Sequence, residues 1–193
     1  MEYKIIILGS SYLTELVVER LKEDYWLIGH IPSKNPTVPG KILLPELDSL
    51  DVDHDIKLSI QYDQKLKNID RAYNVHTGLL PDYGGCDILS HTIANGDREQ
   101  GITFHKMVEE FDAGPIISKI TYPVFEGDTP LDLYKRLACI VPDFVHSSLK
   151  LLHRMSAAQV ASCYSYPPRM YRRGKFDLDD HFKRFRDDRH DTG

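Results

Sequence analysis

An α/β fold, built on a mostly parallel twisted sheet with flanking helices, is predicted by three observations at the start of the chain. YKIIILGSS is a run of β-branched residues that ends in Gly9, Ser10 and Ser11. YLTELVVERLKED then has helical periodicity, with Leu13, Leu16, Val17 and Leu21 on one side. YWLIGHI returns to a strand. Strand, glycine turn, helix, strand is how a parallel sheet begins, because its strands are buried on both faces and read as continuous apolar runs.

The remaining elements follow in order. PSKNPTVPGK reads as a loop, and ILLPELDSLDVDHD has no clear period. IKLSIQY and IDRAYNVH read as strands, and Cys86 to Asn95 suits a short helix stopped by NGD. GITFHKMVEE and GPIISKITYPVF read as two more strands. The stretch from Asp128 to Met155 is a long amphipathic helix, with Asp128 as N-cap, Pro130 in the first turn and a kink expected at Pro142. From Ala157 the chain becomes aromatic and basic, then mixed in charge, with fraying expected from about Asp187. The expected division is a main domain over 1–155 and an extension over 156–193.

Composition bounds the function. The 193 residues are 41% hydrophobic and 27% charged, which suits one globular domain. A net charge of -5 argues against a dominant nucleic-acid surface and leaves a local basic patch open. Cys86, Cys139 and Cys163 have neither zinc spacing nor a disulfide pattern, so a cytoplasmic, reducing location is expected. YKIIILGSSYL lacks a cleavage site for a signal peptide, and no apolar run approaches the ~20 residues that span a bilayer.

Ligands of open parallel sheets bind outside the carboxyl ends of the strands. Asn74 and His76 fall where one strand should end, and Asp112 follows another. An amide, an imidazole and a carboxylate together can donate to an oxyanion and manage a proton. A second reading is that Asn74 and His76 cap a loop while Asp112 sets a turn before Gly114. On spacing alone both stay open.

NVHTGLLPDYGG and ANGDREQGITFHKMVEEFDAGPII resemble the formyltransferases that use 10-formyltetrahydrofolate. These include the glycinamide ribonucleotide, methionyl-tRNA and nucleotide-sugar N-formyltransferases. The resemblance covers roughly residues 56–152 and implies a Rossmann-like formyltransferase fold. It implies that an amine attacks the formyl carbon, that Asn74 and His76 stabilise the oxyanion, and that Asp112 helps take the amine proton. His105 would support Asp112 or a water, or be a core histidine. The pterin would lie between Gln61, Tyr62, Asp63, Gln64 and Val108, Glu109, Glu110, Asp112, read mainly by backbone groups. Tyr83 and Gly84 would border the acceptor. Metal is not required.

The resemblance has two departures, His76-Thr77-Gly78 after the asparagine and LGSSYLTE at the first turn. Gly9, Ser10 and Ser11 either bind a phosphate or form a serine-capped helix start. Methionyl-tRNA formyltransferases carry a separate RNA-binding barrel, for which this chain is too short. The texture of SIQYDQ and LLPDYGG favours an amino sugar on a nucleoside diphosphate as acceptor, with Arg169, Arg172 and Arg173 at the diphosphate. A solvated basic segment is the other reading of those arginines. Glycinamide ribonucleotide is the alternative acceptor, and a non-transferase folate-binding relative is the alternative class. Relatives with sugar acceptors suggest a homodimer.

Overall fold

The computed structural model describes residues 3–173, so the fraying expected from Asp187 lies outside the described residues. The elements are β1 (Lys4–Leu8), α1 (Tyr12–Leu21), β2 (Trp26–Ile31), β3 (Ile56–Ile60), β4 (Ala72–His76), β5 (Gly84–Gly85), α2 (Ile88–Asn95), β6 (Glu99–Lys106), β7 (Ile116–Pro123), α3 (Pro130–His153), α4 (Ala157–Ala161) and β8 (Met170–Tyr171). Six strands form the main sheet in the order β2-β1-β3-β4-β6-β7, and β5 and β8 form a separate pair. The strands from β2 across to β4 are parallel, whereas β6 runs antiparallel to β4 and β7 antiparallel to β6. The α/β architecture is therefore the expected one, with an antiparallel limb added at one side.

Alternation along the strands divides the sheet into two faces. Ile5, Ile7, Leu58, Val75 and Phe104 share one core with Leu13, Val17 and Leu21 of α1 and Leu133, Leu137, Val141 and Val145 of α3. On the other face Ile6, Leu8 and Ala72 meet Leu47, Leu50, Leu66, Ile69 and Met107, all from connecting segments. One face is thus packed by helices and the other covered by loops. The polar residues of the site lie on the second.

Local chemistry explains where the helices begin. Ser11 caps α1, with its hydroxyl accepting from Thr14 N and the Thr14 hydroxyl accepting from Ser11 N. Val18 is buried in that helix where Leu16 was expected to be, and Leu16 is only partly covered. α3 is capped by Thr129 and not by Asp128: the Thr129 hydroxyl accepts from Asp132 N, and Asp132 accepts in return from Thr129 N. Asp128 instead pairs with Arg136 and accepts from Phe125 N. Pro130 opens the helix, where a missing N–H costs nothing, and α3 continues past Pro142 to His153. Among the described residues no helix is long and apolar enough to cross a membrane.

Leu137 is fully buried between α3 and the sheet. Leu137→Ala should cost about 3 kcal/mol, read as a lower urea midpoint at unchanged slope. A midpoint that does not move would place the helix-packed core elsewhere.

Candidate active site

The chemistry is assembled on the loop-covered face, over β4 and β6. Asn74 and His76 are two apart on β4 and share a side, and Asn74 is the register partner of His105 on β6. On the neighbouring strand Ser59 is the register partner of Asn74, and its hydroxyl donates to Asn74 Oδ1 at 2.8 Å. Asn74 Nδ2 faces His105 Nε2 at 3.2 Å. His105 Nδ1 is 3.1 Å from the Lys106 carbonyl and donates to it, so its Nε2 is an acceptor for the amide.

Because β6 is antiparallel, the segment after Lys106 leaves at the opposite end of the sheet from His76. It folds back toward the carboxyl end of β4, where His76 stands beside the segments that follow β2, β3 and β4, among them Asn35, Gln61 and Thr77. Asp112, in left-handed backbone at φ 57°, ends this return. Its Oδ1 lies 3.6 Å from His76 Nδ1 and 3.6 Å from His105 Nε2, and its Oδ2 accepts from Gly85 N at 2.8 Å.

His76 is held from its other side. Its Nε2 is 2.6 Å from the Tyr83 carbonyl, which can only accept, so Nε2 carries the hydrogen. The Nδ1 lone pair then faces Asp112. Burial pushes the His76 pKa down, against the pull of the Asp112 charge and the Tyr83 carbonyl. Burial also opposes the charge on Asp112, but the two imidazoles and the Gly85 N–H outweigh it and lower the carboxyl to about 2. At neutral pH the pair is a neutral imidazole beside a carboxylate. The two facing acceptors leave a place for one proton between them. Gly78 keeps this arrangement open, since a Cβ there would lie 2.9 Å from His76 Nε2 and 2.6 Å from the Tyr83 carbonyl.

A cavity of about 630 Å³ opens over these groups, within the usual range of small-molecule sites. Its walls include Gln61, Tyr62, Asp63 and Gln64 on one side and Val108, Glu109, Glu110 and Asp112 on the other. Leu66, Ile69 and Met107 supply an apolar surface. Gln61 is also left-handed, at φ 50°, and its Oε1 is buried without a hydrogen-bond partner among the described residues. Asp63 is less free than its position suggests, because its carboxylate accepts from Lys34 N and Asn35 N at 2.9 and 2.7 Å. Arg172 and Arg173 are exposed and line the same cavity. Among the described residues no group of three or more His, Cys, Asp or Glu could hold a metal.

Several residues singled out from the sequence stand elsewhere. The Tyr83 side chain is outside the cavity lining: its hydroxyl donates to Asp97, and its ring stacks on Tyr171 at 4.9 Å. Only its carbonyl serves the site. Gly84 is buried against Pro168 and Met170. Arg169 lies over the Tyr171 ring at 5.1 Å and does not line the cavity. The turn at Gly9, Ser10 and Ser11 does not line it, and two of its backbone donors bond within the chain. Gly9 N donates to Ile31 O, Tyr12 N to Val38 O and Ser11 N to the Thr14 hydroxyl. Of the two readings of that turn, the coordinates display the capped helix start. Sequence reasoning missed Ser59, although a polar residue alternating with apolar ones in IKLSI marks the face it shares with Asn74.

Residues 66–146 match the formyl transferase family. Over 84 residues the chain is 39% identical to the methionyl-tRNA formyltransferase of Streptococcus pyogenes serotype M6, a match that covers 44% of this chain and 27% of that protein. The chain therefore spans about a quarter of the length of the curated relatives it matches. A sugar 3N-formyl transferase crystallised with dTDP and 5-N-formyl-THF superposes with a TM-score of 0.75 at 20% identity, over 92% of this chain and 72% of that one. The N-formyltransferase from Helicobacter canadensis, in complex with folinic acid and dTDP-3-aminofucose, gives 0.74 at 20% identity, over 93% and 74%. At that identity the superpositions establish the fold.

The lowered carboxyl has a consequence for stability. A carboxyl with a depressed folded pKa contributes stability that is complete above its ordinary value of 3.8 and is lost as pH falls toward about 2. Asp112→Asn should therefore flatten the loss of stability across that window, measured by urea unfolding at stepped pH. Parallel curves for the two proteins would show that the carboxylate is not held as described.

Proposed function

We propose that the chain transfers the formyl group of 10-formyltetrahydrofolate to a primary amine, and that the amine belongs to an amino sugar on a nucleoside diphosphate. The observation that carries the transfer reading is the placement of Asp112 Oδ1 at 3.6 Å from both imidazoles, beside an asparagine amide whose Nδ2 faces His105.

The residues divide the work. One Asn74 Nδ2 hydrogen faces His105, which leaves the second for the formyl oxygen as charge develops there. The amine forms its bond to the formyl carbon while its proton enters the space between His76 Nδ1 and Asp112 Oδ1. The same pair returns a proton to the folate nitrogen as the old carbon–nitrogen bond breaks. His76 thus acts as an acceptor through Nδ1, and its Nε2–H is occupied by Tyr83. It joins Asn74 at the oxyanion only after it has gained the proton. The donor supplies an activated one-carbon unit, and the chain orients it. Gln61, with its unpartnered Oε1, and the backbone of Val108–Asp112 suit the polar edge of a pterin between apolar walls.

Arg172 and Arg173 on the cavity wall support a diphosphate-bearing acceptor. The solved relatives crystallised with dTDP or dTDP-3-aminofucose fit that chemistry. Glycinamide ribonucleotide would draw on the Gly9–Ser11 turn for its phosphate, and that turn does not line the cavity.

An acceptor screen tests the reading. The protein is incubated with 10-formyltetrahydrofolate and a panel of amino-sugar nucleotides plus glycinamide ribonucleotide, with folate absorbance and acceptor mass followed. A mass gain on an amino-sugar nucleotide is expected, and release of free formate with no acceptor modified would favour a hydrolase. Asp112→Asn should abolish transfer and retain folate binding, and Asn74→Ala should lower kcat by about 100-fold. Replacing Arg172 and Arg173 together should raise the acceptor KM; an unchanged KM would remove them from the acceptor site.

A further inference from the structure

The chain beyond α4 turns back onto the site. Ile116 N donates to the Tyr164 carbonyl at 2.9 Å, and the Ser165 hydroxyl donates to the Ala113 carbonyl at 2.5 Å. A few residues on, Arg169 N donates to the Pro81 carbonyl at 2.8 Å. The Arg169 and Tyr171 carbonyls accept from Gly84 N and Cys86 N, each at 3.0 Å. One segment therefore holds the backbone just after Asp112 and also the turn from Pro81 to Cys86. That turn presents the Tyr83 carbonyl to His76 and the Gly85 N–H to Asp112.

The β5–β8 pair is only two residues long on each side, too short to persist by its ladder alone. Tyr171 provides the missing adhesion. Its ring stacks on Tyr83 at an interplanar angle of 4°, meets His91 at 4.5 Å and carries the Arg169 guanidinium at 5.1 Å. Asn95 Nδ2 donates to the hydroxyls of both tyrosines, at 2.8 and 3.1 Å. The backbones approach so closely that a Cβ on Gly85 would lie 2.1 Å from the Tyr171 carbonyl. Residues 164–171 all fall outside the family-matching segment 66–146.

We infer that residues 164–171 are a strap that fixes His76 and Asp112 relative to each other, and that Tyr171 is the positioning residue that fastens it. Tyr171 acts through the Tyr83 carbonyl and the Gly85 N–H. The rate consequence rests on the formyl-transfer reading, but the geometric consequence does not.

The test uses the full chain and Tyr171→Ala, Tyr171→Phe and Asn95→Ala. The first readout is the pair of ¹⁵N shifts of the His76 ring, which report its tautomer without any substrate. Wild type should give a protonated-type Nε2, and Tyr171→Ala should give averaged shifts as the Tyr83 carbonyl swings away. Tyr171→Phe, which keeps the ring, should restore the wild-type pattern. In transfer assays Tyr171→Ala should lose about 100-fold in kcat with little change in donor KM, the cost of an ångström-scale misplacement. If Tyr171→Ala does not fold, Asn95→Ala carries the test, with a smaller displacement of the same shifts expected. Wild-type His76 shifts in a folded Tyr171→Ala, or in Asn95→Ala should it stand in, would overturn the strap. An absence of transfer by wild type with altered shifts in the variant would overturn the transfer reading and leave the strap standing.

Discussion

The contact on which the site depends is a buried carboxylate held between two imidazoles and one backbone N–H. Burying a charge is costly unless donors and charges surround it. Three separate parts of the chain meet at the Asp112 oxygens: the Pro81–Cys86 turn donates the Gly85 N–H, and His76 of β4 and His105 of β6 stand 3.6 Å away, each adding a charge when it is protonated. Asp112 takes this place from a left-handed backbone, a conformation that costs a non-glycine residue of order 1–2 kcal/mol. Such strain persists where surrounding structure over-determines it, and Gln61 on the opposite wall shares it. Asp87, also left-handed, lines the same cavity, whereas left-handed Arg71 before β4 does not.

The two faces of the sheet have separate tasks. α1 and α3 bury one face in large aliphatic and aromatic side chains and supply most of the core. The other is covered by connecting segments that carry few apolar residues each, so space is left over. Buried polar side chains of β6 compensate by tying the nearby loop to the sheet. Thr103 donates to the Gly78 carbonyl and accepts from Leu80 N, and Gln100 accepts from Leu79 N. The turn that follows His76 is therefore held by side-chain hydrogen bonds as well as by the burial of Leu80.

Much of this was legible in the sequence. Buried strands write themselves as apolar runs and α3 as a long 3.6-residue period, so the six main strands and α1 to α3 could be read in order, while the short β5, α4 and β8 could not. The direction of β6 could not, because an apolar run is the same in a parallel and an antiparallel neighbour. That is why the fold-back of the segment carrying Asp112 toward the carboxyl end of β4 could not be read from the sequence. Asp128 and Thr129 are both good caps, and only the pairing of Asp128 with Arg136 separates them. Tyr83 misled for a related reason: its place in the turn was right, but stacking on Tyr171 draws the ring outward and leaves the carbonyl as the working group. That partner is far along the chain, where no local pattern points to it.

The antiparallel course of β6 also separates residue identity from reach. His105 belongs to the ladder and cannot shift without moving the strand, whereas Asp112 hangs from a tether that must cross the sheet to return. Losing a residue between Met107 and Phe111 would leave every polar group present and every strand intact, yet draw the carboxylate back from both rings. Among chains of this design, competence is written in the length of that tether as much as in the letters at its end.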